Sequence, residues 1–112
     1  MAKVVITASL NEEIFKKFKA TSEKIFLQMK SLEHNPHKGK ALGHVAGIVI
    51  KELKYEKYRF YFITDGHVLK FGTDGDLAAI LIKFVRMSDK KDQQKNIDEI
   101  KTILKSMGFE AM

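Results

Sequence analysis

Gly47–Phe62 reads GIVIKELKYEKYRFYF. Two apolar runs, Ile48–Leu53 and Tyr58–Ile63, flank a short charged link, Lys54-Tyr55-Glu56-Lys57. Both runs are rich in β-branched and aromatic residues and hold no internal Gly or Pro, which predicts two adjacent strands. The link has the length of a hairpin loop. Arg59 stands inside the second run among aromatic residues. A guanidinium is not left unpaired in a core, so Arg59 snorkels to water, pairs with an acid or faces a site. Glu52, on the neighbouring predicted strand, is the acid within reach. A buried pair between the two takes Arg59 out of any direct chemical role.

Upstream, Lys3–Ala8 is short and β-rich and predicts a strand. Ser9 with Glu12 fits a capping box, and Leu10, Ile14, Phe15 and Phe18 follow on one helical face as core residues. A second helix starts near Thr21 or Ser22, with Ile25, Met29 and Leu32 on one stripe and Phe26 beside them. Asn35-Pro36 ends it, because proline disfavours helical geometry in the residue before it. His34–His44, HNPHKGKALGH, reads as a polar, glycine-rich connection. Its three histidines lack the one-turn spacing and the cysteine partners of a common metal site, so no metal is expected.

Downstream, Asp65-Gly66 and Asp74-Gly75 are turn signals around a short strand at His67–Phe71. Leu77–Val85, LAAILIKFV, is the most apolar run and predicts a central strand. Under strict alternation Lys83 shares a face with Leu81 and Val85, and Arg86 with Ile82 and Phe84, unless a bulge intervenes. Residues 87–96 are polar and form a loop or helix start. Ile97, Ile100, Ile103, Leu104 and Met107 give a final helical stripe, with Gly108 as its C-cap. The expected class is α+β. Two N-terminal helices pack on a small twisted antiparallel sheet, with a C-terminal helix, all in one domain over residues 1–112.

The 112 residues suit one domain, and the 45% hydrophobic content is enough for a core. No apolar run reaches the roughly 18 residues that would span a bilayer, the N-terminus lacks signal-peptide regions, and cysteine is absent. A cytoplasmic protein with no membrane partner is the expectation. The net charge is +6, and residues 16–40 hold seven lysines against two glutamates. Such an excess suits a nucleic acid or an acidic protein, or is simply a solvated helix face. No serine has the surroundings of a nucleophile, no telling carboxylate pair is present, and no cofactor is called for. Asp65, Asp74 and Asp76 read as turn formers. What remains is a cationic sheet (Lys51, Lys54, Lys57, Arg59, Lys83, Arg86, Lys90, Lys91) interleaved with Tyr55, Tyr58 and Tyr61. Cations hold phosphates, tyrosines stack on bases, and a cation can stabilise the negative charge that develops in phosphodiester cleavage.

In order, LEHNPHKGKAL (Leu32–Leu42), GIVIKEL (Gly47–Leu53), YRFYF (Tyr58–Phe62) and ILIKFVRMSDKKDQQKNIDEIKTILK (Ile80–Lys105) resemble the RelE/ParE superfamily of toxin–antitoxin toxins, most of all its HigB branch. The resemblance covers roughly residues 10–105. It implies two N-terminal helices on an antiparallel sheet. It also implies a ribosome-dependent, metal-independent mRNA endonuclease held inactive by a cognate antitoxin, here a helix-turn-helix protein. A smaller branch poisons DNA gyrase instead. By position the resemblance gives catalytic roles to Arg59, Arg86, Lys90 and Lys91, with Lys54 a looser match. Nucleic-acid contacts then fall to Lys16, Lys17 and Lys24 on the helices and to Lys54, Lys57 and Lys83 on the sheet. Two features depart from the pattern. Gln93 and Gln94 stand where many RelE-type relatives carry a Tyr or His. Asp65–Asp76 is longer than usual and brings in His67. A non-catalytic binder of the same fold and a plain structural module are the alternatives.

Overall fold

The computed structural model describes residues 2–65, 81–109 and 112. The strands are β1 (Lys3–Ile6), β2 (Lys40–Val45), β3 (Ile48–Tyr55), β4 (Tyr58–Asp65) and β5 (Leu81–Asp89). The helices are α1 (Ala8–Phe18), α2 (Ser22–Lys30) and α3 (Gln93–Met107), with single 3-10 turns at Lys19–Thr21, Ser31–Glu33 and Lys90–Asp92. The described strands form one sheet in the order β1-β5-β4-β3-β2. The fold is α+β, as expected, but the sheet is mixed: β1 runs parallel to β5, and the other neighbours are antiparallel. Tight turns force antiparallel pairing only between the strands they join. β1 meets β5 from the far end of the chain, so no turn dictates its direction.

The central hairpin is tighter than a four-residue link. Tyr55 pairs with Tyr58, which leaves only Glu56-Lys57 in the turn, with φ of 54° at Glu56. The preceding hairpin was not expected. Residues 40–44, expected as the end of the His34–His44 connection, fall in the edge strand β2, which turns back through Ala46 (φ 50°) and Gly47 (φ 84°). Two positive φ values in a two-residue loop match the right-handed twist of the strands they join. The glycines and histidine of β2 hide it from a β-propensity reading. The strand expected at His67–Phe71 and the start of the Leu77–Val85 run lie outside the described residues. β5 itself extends past Val85 through the polar Met87–Asp89.

Helices cover both faces. α1 and α2 pack Leu10, Ile14, Ile25 and Met29 against Leu53, Phe60, Phe62, Ile82, Phe84 and Met87. α3 packs Ile100 and Leu104 against Ile50, Tyr61, Ile63 and Val85 on the opposite face. β4 is central and buried on both sides, so it reads as a nearly continuous apolar run rather than an alternating one. Two helical details differ from expectation. Thr7, not Ser9, caps α1, its Oγ1 accepting from the Leu10 amide at 3.4 Å. Phe15 is 62% exposed, because Leu10, Ile14 and Phe18 complete the inward stripe at a spacing of four and Phe15 lies about 100° away from Ile14.

A bulge sits in the β4–β5 ladder. Tyr61 pairs with Arg86 and Phe62 with Phe84, so Val85 is the extra residue. The bulge cancels the alternation that separated Lys83 from Arg86. Lys83 comes within 5.9 Å of the Phe109 ring, and Arg86 pairs with Glu99 of α3. Both cations therefore lie on the α3 side.

Gly39 (φ 106°) leads into β2 so closely over β4 that a Cβ there would meet Phe62 Cζ at 2.8 Å and the Glu52 carbonyl oxygen at 3.0 Å. At Gly47 a Cβ meets nothing within 4 Å. Gly47→Ala should cost about 1–2 kcal/mol for its backbone alone. Gly39→Ala should cost a further 1–3 kcal/mol, roughly, for displaced neighbours. Urea unfolding midpoints compare the two, and equal losses would mean that the segment before β2 does not pack on Phe62 as described.

Candidate nucleic-acid interface

One end of the sheet collects aromatic rings and lysines. The β3–β4 turn places Tyr55 and Tyr58 side by side on the α1–α2 face. Phe18, at the end of α1, meets both edge-on, with ring centres 6.2 Å from Tyr55 and 5.1 Å from Tyr58. Gln28 of α2 donates to the Lys54 carbonyl at 3.4 Å, tying the second helix to the same end. Lys17 Nζ then stands 5.0 Å from the Tyr58 ring centre, and Lys57 Nζ stands 5.5 Å from it. Both ammoniums are within cation–π range of one ring. Tyr58 is paired in register with Asp89, the last residue of β5, and the exposed Lys90 and Lys91 of the following turn come next in the chain. Asp89 Oδ1 accepts from the Asp92 amide at 3.1 Å, so it caps this turn.

The α3 face at this end holds a buried polar network. Arg59 Nε lies 3.7 Å from Glu52 Oε2, with the side chains only 10% and 9% exposed. Arg59 Nη1 also donates to the Tyr58 carbonyl at 3.2 Å. Gln93, the first residue of α3, donates to Glu52 Oε2 at 3.0 Å. Tyr61 is fully buried, its hydroxyl 2.6 Å from Ser88 Oγ. Burial raises the Tyr61 pKa, and the Ser88 hydrogen bond works against that rise. Arg59 thus adopts the ion pair with Glu52, the alternative to a site-facing guanidinium. Neither the contact of Gln93 with Glu52 nor that of Ser88 with Tyr61 was expected. Both depend on how α3 and β5 dock, which no local pattern encodes.

The other named cations scatter. Arg86 is half-buried, pairs with Glu99, and stands between two clefts. One of about 310 Å³ is lined by Asp98, Glu99, Thr102 and Ile103; the other, of about 390 Å³, is lined by Ser9, Glu13, Met87 and Asn96 among others. Lys16 is exposed and tied to Glu12 at 2.8 Å. Lys24 and Lys54 are exposed, and Lys54 is paired across the hairpin with Arg59. Lys83 is six residues along β5 from Asp89, roughly 20 Å away, so it does not join the lysines around Tyr58. Among the described residues no cluster of His, Asp or Glu could hold a metal ion, and no helix is long and apolar enough to cross a membrane. Comparison of the chain with protein-family models, with curated proteins and with solved structures returns no match.

Lys51, one of the cations expected on the sheet, is buried. Lys51 is 7% exposed on the α1–α2 face, donates to the His37 carbonyl at 3.0 Å, and lies 5.9 Å from the Phe62 ring centre. Burial lowers its pKa from the usual 10.5. The folded state therefore binds fewer protons than the unfolded state between that lowered value and 10.5, and stability rises with pH through this window. Lys51→Met should raise the melting temperature at pH 7, with the gain shrinking as pH approaches 10.5. A gain independent of pH would deny that burial of the charge is the cause.

Removing one partner of a buried ion pair strands the other charge, at a cost of about 3–5 kcal/mol. Glu52→Ala should destabilise by that order in urea unfolding. Glu52→Leu combined with Arg59→Met should return to within about 1 kcal/mol of the parent. A loss in that double variant equal to the sum of the losses in Glu52→Leu alone and Arg59→Met alone would show that the side chains do not interact.

Proposed function

We propose that the chain is the toxin of a type II toxin–antitoxin pair and acts as a metal-independent, ribosome-dependent endonuclease on mRNA. The observation that carries this reading is the approach of two lysines from separate elements to Tyr58, whose register partner Asp89 is followed directly by Lys90 and Lys91. Lys17 comes from α1, Lys57 from the hairpin turn, and Lys90 and Lys91 from the turn after β5. The α+β element order is in keeping with it, as is the RelE/ParE resemblance of residues 10–105. In such a reaction the ribose 2′-oxygen bonds to phosphorus as the bond to the 5′-oxygen breaks. One proton leaves the 2′-hydroxyl and one reaches the departing 5′-oxygen, leaving a 2′,3′-cyclic phosphate. Preorganised cations stabilise the charge on the phosphorane-like transition state. Arg86, Lys90 and Lys91 are assigned that part. Arg59 joins them only by exchanging Glu52 for a phosphate, so in the free protein its role is to position Glu52 and the start of α3. The same cationic end suits an acidic segment of a helix-turn-helix antitoxin.

A second reading has its own support. Both strand arginines are already engaged by carboxylates, Arg59 by Glu52 and Arg86 by Glu99. A toxin of this fold that binds without cutting, as a gyrase poison or a binding module does, needs neither to be free. Incubation with translating ribosomes followed by primer extension on the mRNA separates the two. The endonuclease reading expects discrete cuts, reduced roughly 10²-fold by Arg86→Ala and reduced again by Lys90→Ala with Lys91→Ala. Far-ultraviolet circular dichroism should show each variant folded. Intact mRNA under these conditions would exclude the endonuclease and leave the binding role.

A further inference from the structure

We infer that Lys17, Tyr58 and Lys57 form a seat for one phosphodiester of single-stranded RNA, separate from the residues assigned to cleavage. The inference rests on the RNA-directed reading above and adds to it a specific contact. Two ammoniums approach a single ring, at 5.0 and 5.5 Å from its centre. Among the described residues neither has a carboxylate within 4.0 Å, whereas Lys16, also on α1, is paired with Glu12, and Lys30 of α2 with Glu33. Asp89, the nearest acid by register, is committed to the Asp92 amide. Like charges gathered on one ring repel one another, and an anion placed between them relieves the repulsion and satisfies donors that otherwise face water.

The ring is also held in place. Phe18 braces Tyr58 edge-on, and Phe18 is itself packed against Tyr55 and Phe60. The two lysines come from α1 and from the β3–β4 turn, so the packing of helix on sheet brings both to the same ring. A phosphate group, with oxygens on several sides, can accept from both at once. RNA is favoured over a free anion because Lys90 and Lys91 continue the positive charge beyond Asp89, along a line that a strand could follow.

The test is the salt dependence of binding a fluorescein-labelled oligouridylate of twelve nucleotides. Each lost phosphate contact lowers the slope of log affinity against log salt by about 0.7 for a single strand. Lys17→Gln and Lys57→Gln should each lower the slope, the double variant by about that amount in all, and each should weaken binding several-fold at low salt. Lys30→Gln, at a lysine already paired with Glu33, should leave both unchanged. Slopes equal to that of the parent in both variants, or no binding of the oligonucleotide by the parent, would overturn the seat. An equal fall in all three variants would show diffuse charge and overturn it too. Primer extension on ribosomes, run on the same proteins, keeps the two proposals apart. Cuts with unchanged slopes would sink the seat alone; reduced slopes without cuts would sink the endonuclease alone.

Discussion

Across the β3–β4 hairpin the Arg59 guanidinium lies 3.7 Å from the Glu52 carboxylate, and both side chains are almost wholly out of water. At an effective dielectric of about 20 their attraction is of order 4 kcal/mol, against a desolvation penalty of several kcal/mol for each ion. The pair therefore adds little net stability, and its effect is on arrangement. Glu52 faces α3 together with Tyr61, its partner in β4, while Leu53 and Phe60 face α1 and α2. A slip of one residue between β3 and β4 would turn one of the two charges into the apolar layer under the helix pair. The register that keeps both on the α3 side also brings Glu52 to Gln93, and so fixes where α3 begins.

The same constraint shows which parts of the fold a sequence can reveal. The β3–β4 hairpin, the inward stripes Leu10-Ile14 and Ile25-Met29-Leu32, and the buried face of α3 at Ile97, Ile100 and Leu104 are local patterns, and all are present. Their periodicity follows from burial on one side of an element. β2 was illegible because an edge strand needs little burial, so Lys40, Ala41 and His44 remain exposed in it. The parallel β1–β5 pairing and the Val85 bulge were illegible for a different reason. Each depends on a partner distant in the sequence, and the bulge reverses the face of Arg86 without leaving any trace in the alternation of residues 81–86.

The candidate site divides in a similar way. That Arg59 must be paired or functional followed from its apolar neighbours, and Glu52 was the acid a strand away. That Arg86 would meet Glu99 did not follow, since the bulge decides it. The convergence on Tyr58 combines one short-range feature, a lysine beside a tyrosine at the hairpin turn, with Lys17, which lies 41 residues earlier and arrives only because α1 packs Phe18 against the same ring.

Charge counted along the chain gives a misleading map of where the protein can hold a phosphate. The seven lysines of residues 16–40 dominate the composition, yet Lys16 and Lys30 already pair with glutamates on their own helices. Exposed pairs of this kind contribute at most about 1 kcal/mol, but they lower the field that a polyanion meets. At the hairpin end fewer cations act, drawn from elements that do not adjoin in sequence, and the aromatic packing beneath holds the ring they approach. Positive charge spread over mobile side chains attracts any nucleic acid in proportion to its charge. Charge gathered over a braced ring is tied to one place on the surface. The proposed cleavage calls for that second property, and Phe18 packed edge-on against Tyr58 is the feature that fixes the place.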